Sequence, residues 1–345
     1  MTDTAELDLL RHAARGALSR FPEALGLAHG EEMAPGAVAA AMATAAEHGW
    51  TAMLLPEAQG GLGLGMREAA VLAEEVGRSL APGPFLANLV LLPALAGSGA
   101  EWLDALAGAV ARGETVVTAY ISEAGDGPQA RRLVEHAEDS GPLLHLAFSG
   151  ESPGSLTLAR LERPNLRPLR PFDPTCPIAE IGEAVATEMV KISAAAARDA
   201  VGRAQLWIAA EMLGLSERAG EMSLAYATTR KQFGSPIGVN QAVKHRLVDD
   251  YVLRRNAAAI IAEAAAVWDA GQGDRLLLAH AARAAATAAA FSSTAYCIQV
   301  HGALGFSAET GIHLGYKRAR RLACTLGDEA RSRKLIAAEM VRDAA

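Results

Sequence analysis

Arg230-Lys231-Gln232-Phe233-Gly234-Ser235-Pro236-Ile237-Gly238, followed by Gln241, separates two long segments that contain no proline. Upstream, Ile192 to Thr229 reads as one helix, which at 1.5 Å per residue would run about 55 Å. Downstream, helices are expected over roughly Asn240 to Ala270, from an N-cap at Asp274 to Val300, and more briefly after Gly311. Long helices joined by short turns form antiparallel bundles. From Lys191 onward the chain therefore reads as a helix bundle.

Toward the N-terminus the character changes. Thr115 to Ser122 (TVVTAYIS), Leu143 to Ser149 (LLHLAFS) and Ser155 to Leu161 read as strands. Gly125, Gly127, Gly141, Gly150, Pro153 and Gly154 punctuate them, and a proline-rich stretch follows from Pro164 to Pro177. This is a small sheet segment that ends near Val190. Between Thr4 and about Gly113, short helices are expected, with breaks at Gly30, Pro35, Pro56, Gly60-Gly61-Leu62-Gly63 and Pro82 to Pro84. Within them, Met66 to Leu80 sets Ala69, Leu72, Ala73, Val76 and Leu80 on one face. Aromatic residues make up only 5% while alanine is abundant, which favours helix because alanine loses no side-chain entropy there. The expected fold is mainly α with a small β domain: an all-α N-terminal domain (1–114), a middle β-domain (115–190) and a C-terminal bundle (191–345).

Composition excludes several function classes. With 51% hydrophobic and 21% charged residues, the chain is neither disordered nor fibrous. Its net charge is −7 with acid and base interspersed, so no basic surface for nucleic acid is expected. Cys176, Cys297 and Cys324 lie far apart, which argues against a disulfide framework and suits a reducing cytosol. None of the nine histidines pairs with another at metal spacing, so no metal site is expected. The acidic start, Met1 to Leu10, lacks a signal-peptide pattern, and the apolar stretch Ala257 to Trp268 is interrupted by Glu263. A soluble, cytoplasmic protein with no membrane partner is expected.

Two further motifs accompany the first. Gln299-Val300-His301-Gly302-Ala303-Leu304-Gly305-Phe306 precedes Glu309. Near the N-terminus stand His48-Gly49-Trp50, Pro56-Glu57, Gly60-Gly61-Leu62-Gly63-Leu64 and Glu74-Glu75-Val76-Gly77-Arg78. In this order, over nearly the whole chain, they resemble the acyl-CoA dehydrogenase family. The resemblance implies that family's fold, with a helical domain, a β-domain and a C-terminal four-helix bundle. It also implies FAD, an acyl-CoA substrate, an electron-accepting flavoprotein as partner, and an oligomer in which these motifs reach a neighbouring subunit's FAD. The implied cofactor-binding residues are Arg230, Gln232, Phe233, Gln241, Gln299 and Gly302. The chemistry is compatible: a pyrophosphate asks for a cation and backbone donors, an amide side chain offers donor and acceptor, and glycine permits close approach. Read without the resemblance, Arg230 is a helix-end charge favoured by the dipole, and the glycines turn the chain.

The departures from the family pattern are equally informative. Where the family has a stretch resembling Thr-Glu-Pro followed by Gly-Ser, this chain reads Ser122-Glu123-Ala124-Gly125-Asp126-Gly127, and no Trp-Ile-Thr occurs. The segment 115–190 is shorter than the family's, which implies an incomplete flavin bed, and Ala303 stands for a second glycine. α-Proton removal from a thioester needs a base beside Cα. The usual glutamate position, aligned on Leu326-Gly327-Asp328, holds Leu326; an alternative position on the long helix falls at about Ala204, beside Gln205. Neither carries a carboxylate. Asp328 is a candidate base only if the backbone moves, and otherwise a loop or cap aspartate. The basic run Lys317-Arg318-Ala319-Arg320-Arg321 is read either as meeting coenzyme A phosphates or as a solvated helix face.

Three functional readings follow. The chain is the short, base-lacking subunit of a heteromeric dehydrogenase, completing a flavin site on a larger homologous partner. Heterotetrameric family members of bacterial steroid and side-chain degradation resemble it in this, and the run Gly77-Arg78-Ser79-Leu80-Ala81-Pro82-Gly83-Pro84-Phe85-Leu86 also looks like theirs. Alternatively, it is a self-sufficient homo-oligomer forming a 2-enoyl-CoA with Asp328 as base, or a helical scaffold without flavin, against which the intact motifs argue.

Overall fold

Alanine and its punctuation decide where helices run. The computed structural model describes residues 4–21, 33–34, 36–122, 131–136, 141–149, 155–161 and 165–343. Among the described residues, the helices before the strands are α1 (Thr4–Leu18), α2 (Ala37–Glu47), α3 (Met66–Ser79), α4 (Leu92–Leu95) and α5 (Glu101–Ala111). Those after them are α6 (Ala194–Thr229), α7 (Gln241–Ala270), α8 (Arg275–His301), α9 (Ala303–Phe306), α10 (Ile312–Cys324) and α11 (Glu329–Asp343). Strands are β1 (Thr118–Ser122), β2 (Leu133–Glu135), β3 (Leu143–Ser149), β4 (Ser155–Leu161), β5 (Leu166–Leu169), β6 (Ile178–Ile181) and β7 (Ala186–Ile192), with β8 (Lys231–Gln232) and β9 (Ser235–Pro236) between α6 and α7. The mainly helical architecture with a small sheet region is thus as expected. Among the described residues no helix is long and apolar enough to cross a membrane.

The chain forms two compact units: Met1–Ala34 with Ala70–Ala81 and Gln205–Ala345, and Pro35–Ala69 with Pro82–Ala204. In the first, α7 and α8 run antiparallel. Arg246 Nη2 near the start of α7 donates to Ser292 Oγ late in α8 (2.7 Å), and Ser292 Oγ donates to Asp250 Oδ1 (2.6 Å). The turn between these helices needs Gly271 at φ 66, and Asp274 caps α8 by accepting from Leu277 N at 3.0 Å, as the sequence implied. Helices α10 and α11 pack on α8.

Helices α3 and α6 meet backbone to backbone in this unit. A Cβ on Gly77 would lie 2.0 Å from the Glu211 carbonyl oxygen, and one on Gly214 only 1.8 Å from that of Glu74. Buried Arg318 of α10 closes the same contact: Nη1 reaches Glu211 Oε1 (3.1 Å) and Ala81 O (3.3 Å), while Nη2 donates to Leu80 O (3.3 Å). Leu80 adopts φ 55, the left-handed cap that turns its carbonyl toward this cation. Arg78 pairs with Glu221, and its carbonyl accepts from Arg218 Nη1 (2.9 Å). Helix α1 is tied to α3 through Arg11–Glu74 and Arg15–Glu75, both at 2.7 Å.

The second unit holds a four-stranded sheet, order β1-β3-β4-β7, and a three-stranded sheet, order β2-β6-β5. β1 and β3 are parallel, with Thr118 opposite Leu143; the other pairings are antiparallel. Tyr120, Val134, Leu143, Ala179 and Ile181 form a core cluster there. β3 and β4 coincide with the expected strands. β1 begins at Thr118 rather than Thr115, because Val117 is diverted to a side chain. Its N–H donates to Asn88 Oδ1 (2.9 Å), and its carbonyl accepts from Asn88 Nδ2 (2.8 Å), from a buried π-helical turn, Leu86–Leu91. The proline-rich stretch carries β5, with Pro168 inside it. Proline is tolerated because β5 is an edge strand and needs no donor on its outer side. The expected breaks at Gly30 and Pro35, and the punctuation at Gly125, Gly127, Gly150, Pro153, Gly154 and Pro164, lie outside the described residues.

Gly214→Ala should destabilise the protein by roughly 2 kcal/mol or more, since the methyl overlaps a backbone carbonyl that no rotamer can clear. Gly16→Ala, where nothing lies within 4 Å, should leave stability unchanged or raise it by up to about 1 kcal/mol. Urea unfolding midpoints of the two variants against the parent check both.

Candidate functional site

The stretch after α6 folds back as a tight hairpin. β8 and β9 pair antiparallel, Lys231 opposite Pro236 and Gln232 opposite Ser235. Phe233 (φ 51) and Gly234 (φ 86) form the two-residue turn, the double left-handed geometry that matches strand twist. A left-handed phenylalanine is strained by about 1–3 kcal/mol, and its ring is 104% exposed. Arg230 N continues the helix to Tyr226 O (2.8 Å), and its carbonyl accepts from Ile237 N (2.8 Å). Its side chain is exposed, and among the described residues no carboxylate pairs with it. Among the described residues, the Gln232 side chain donates from Nε2 to the neighbouring Lys231 carbonyl (2.9 Å), and Gln241 opens α7 in solvent.

The ends of α6 and α8 lie side by side. The rings of Tyr226 and His301 are 4.2 Å apart, and His301 Nδ1 is 2.7 Å from Cys297 O. Arg230 and Gln299 therefore come to the same end of the bundle, Gln299 exposed as well. Gly302 has φ 62 and ψ −131, a conformation open essentially to glycine alone. Leu304 and Phe306 also face solvent. The sequence-marked residues thus gather on an exposed, amphipathic end whose cation, amides and aromatic ring are largely uncommitted within the chain.

A second locus is the turn Leu326-Gly327-Asp328. Leu326 (φ 56) and Gly327 (φ 91) are both left-handed. Three carbonyls hold the turn: Gln205 Nε2 donates to Leu326 O (2.8 Å), and Arg283 Nη2 to Leu322 O (2.5 Å) and Thr325 O (3.3 Å). Asp328 Oδ1 accepts from Arg331 N (2.8 Å), capping α11. Ala204 is fully buried and carries only a methyl group. Arg283 and Gln205, which no motif marks, are the residues that shape this turn. Burial lowers the Arg283 guanidinium to about 10. It also drives His280, one turn earlier on α8, down to about 4, with Arg331 and Arg283 adding to the effect and Asp274 opposing it.

The basic run on α10 divides between the interior and solvent. Arg318 points inward to Glu211, whereas Arg320 is exposed, over the Phe291 ring at 4.0 Å with Nη2 on Tyr316 Oη at 2.6 Å. In the sheet unit, Ser122 Oγ lies 2.8 Å from His145 Nε2, and His145 stacks on Tyr120. The stretch Glu123 to Gly127 that follows lies outside the described residues.

Residues 4–114 match the family description "Acyl-CoA dehydrogenase, N-terminal domain" and residues 193–341 match "Acyl-CoA dehydrogenase, C-terminal domain". Acyl-CoA dehydrogenase IpdE2 of Mycobacterium tuberculosis is 33% identical over 275 residues, covering 79% of this chain and 77% of that protein. A chain of the Tcur3481-Tcur3483 steroid ACAD G363A variant superposes with TM-score 0.82 at 23% identity, covering 99% of both chains. A chain of the ChsE4-ChsE5 complex from Mycobacterium tuberculosis gives 0.80 at 22% identity, covering 99% of this chain and 98% of that one. At those identities the two structures speak to the fold alone.

His280 makes the protein acid-sensitive. Unfolded, it takes up a proton near its ordinary 6.5; folded, it resists until about 4. Stability is therefore complete above pH 6.5 and is lost as pH falls through that window, by about 2 kcal/mol between pH 7 and pH 5. His280→Gln should flatten this limb of a stability-versus-pH profile followed by denaturant titration. An unaltered limb would assign the acid sensitivity elsewhere.

Proposed function

Because the chain belongs to the acyl-CoA dehydrogenase family, we propose that it is the base-lacking subunit of a heteromeric, FAD-dependent member. In that assembly it completes a flavin site with a larger homologous partner. The reaction is α,β-dehydrogenation of an acyl-CoA to a 2-enoyl-CoA in the cytoplasm, with electrons passing on to an electron-accepting flavoprotein. The domain division is 1–114, 115–190 and 191–345. A steroid or related lipid acyl group is favoured by the neighbour described as a steroid ACAD, and a heteromeric assembly by the two-component names of both structural neighbours.

The observation that carries this reading is the turn Leu326-Gly327-Asp328. The family resemblance calls for a glutamate there; Leu326 offers none, and Asp328 spends an oxygen on the α11 cap. A base is worth roughly two to four decades in rate, so it comes from the partner. The exposed end of the bundle supports the rest. Burying a ring that is 104% exposed and engaging a cation without a carboxylate both call for a surface outside the chain.

These residues fit one wall of a dinucleotide site. Arg230 would neutralise pyrophosphate, Phe233 would lie against a ring, Gln232, Gln241 and Gln299 would supply amide donors and acceptors, and Gly302 would let the backbone approach. FAD, when bound, supplies the hydride acceptor. The chain's own residues bind and orient; they hold no catalytic proton.

Expressed alone, the chain should carry far less than one flavin, and co-expression with a full-length family member should restore it; the flavin absorbance per protein decides. In the assembly, Arg230→Ala should weaken FAD retention by about one to two decades, the roughly 1.5–3 kcal/mol of a charge-assisted contact. Helix content should be unchanged, and Arg230→Lys should recover part of the loss because lysine lacks the fork.

Asp328→Asn keeps the cap and removes the charge, so acyl-CoA turnover of the assembly should stay within a few-fold. Loss of about two decades with flavin retained would instead make Asp328 the base.

A further inference from the structure

We infer that Glu135, His136 and Cys176 form a divalent-metal site of the zinc class in the sheet unit, independent of the flavin reading. A carboxylate oxygen, a ring nitrogen and the thiol sulfur of these residues all lie within 4.8 Å of one another. His136 and Cys176 are far apart in sequence, which is why spacing alone concealed them. The sheet brings them together. β2 ends where Glu135 pairs with Ile178, and His136 N extends the ladder by donating to Pro177 O at 2.8 Å. That places residue 136 directly beside the loop that delivers Cys176.

Both sides of the cluster are held in place before any ion arrives. Neighbouring side chains on a strand point to opposite faces, which would part Glu135 from His136. His136 instead adopts φ 56, and the left-handed turn breaks that alternation. Across from it, Asp173 organises the loop: Oδ1 accepts from Thr175 N (3.0 Å) and Thr175 Oγ1 (2.5 Å), and its carbonyl accepts from Cys176 N (3.0 Å). His136 and Cys176 are buried, 3% and 0% exposed, whereas Glu135 is half-buried and gives the cluster a wetted side.

The donor set selects the ion. Calcium and magnesium require oxygen ligands throughout, while a mixed sulfur, nitrogen and oxygen set suits zinc. Tetrahedral zinc with bonds of about 2.0–2.3 Å spaces its ligand atoms roughly 3.3–3.8 Å apart. Closing the present triangle, whose atoms lie within 4.8 Å of one another, to that size calls for shifts of about 1 Å. On binding, Cys176 releases its thiol proton to solvent as the metal–sulfur bond forms, His136 binds neutral and Glu135 as carboxylate. Water fills the fourth position. The ion would clamp the end of β2 to the loop before β6 while keeping one position open to water.

The full-length chain, stripped with chelator and dialysed, is titrated with Zn²⁺ alone against a chromogenic zinc indicator, and in parallel with Co²⁺. One equivalent should bind, with proton release and, for Co²⁺, a thiolate charge-transfer band. Cys176→Ser should abolish that band and weaken Zn²⁺ by at least about 100-fold, and His136→Gln and Glu135→Gln should weaken it by at least about tenfold. Cys324→Ser, an exposed cysteine elsewhere, should change nothing. If Cys176→Ser does not fold, as far-UV circular dichroism would show, the other two variants decide. Absence of stoichiometric Zn²⁺ in the parent, or equal binding by folded His136→Gln and Glu135→Gln, overturns the site.

Discussion

The helical unit is organised around the buried guanidinium of Arg318. It takes a carboxylate from α6 and two carbonyls from the end of α3. Both helices come close enough to share it only because Gly77 and Gly214 remove the side chains between them. Each feature requires the other. A buried cation stripped of Glu211 would cost about 3–5 kcal/mol, and a methyl at either glycine would push the acceptors away. This contact fixes α10 against α3 and α6, and α10 leads directly into the turn at Leu326. The run Gly77-Arg78-Ser79-Leu80 thereby acquires a physical meaning: close approach, an ion pair with Glu221, and a left-handed cap that aims a carbonyl at Arg318.

Charge in this unit is divided between groups already committed and groups left open. Arg318 and Arg283 are buried, each held by carbonyl oxygens, and they fix backbone geometry. Arg230, Gln232, Gln241 and Gln299 stand in solvent, as does Phe233, the most exposed aromatic ring among the described residues. The first set stabilises the chain by itself. The second contributes little until another surface covers it, because exposed polar contacts are compensated by water.

Much of the fold was legible in the residues. The boundaries of α7 and α8, the Asp274 cap and the extents of β3 and β4 follow from periodicity, proline-free length and capping chemistry, all of which act within a few residues. β5 was obscured because Pro168 signals a break, and only its position at a sheet edge makes it a strand. The start of β1 was displaced because Asn88, far upstream, captures both polar groups of Val117.

For the candidate site, the sequence by itself determined which side chains are present: Arg230, Phe233, Gln299 and Gly302 in motifs, and Leu326 where the family resemblance implies a glutamate. Tertiary structure decided where each one stands. It turned Arg318 inward although the basic run has no internal mark distinguishing it from Arg320. It spent Asp328 on a cap, set Arg283 and Gln205 on the carbonyls of one turn, and brought Glu135 and His136 to Cys176. Local chemistry follows from neighbours along the chain, but hydrogen bonds and ligand sets between distant residues exist only after loop closure has placed their partners, and no local pattern encodes that placement.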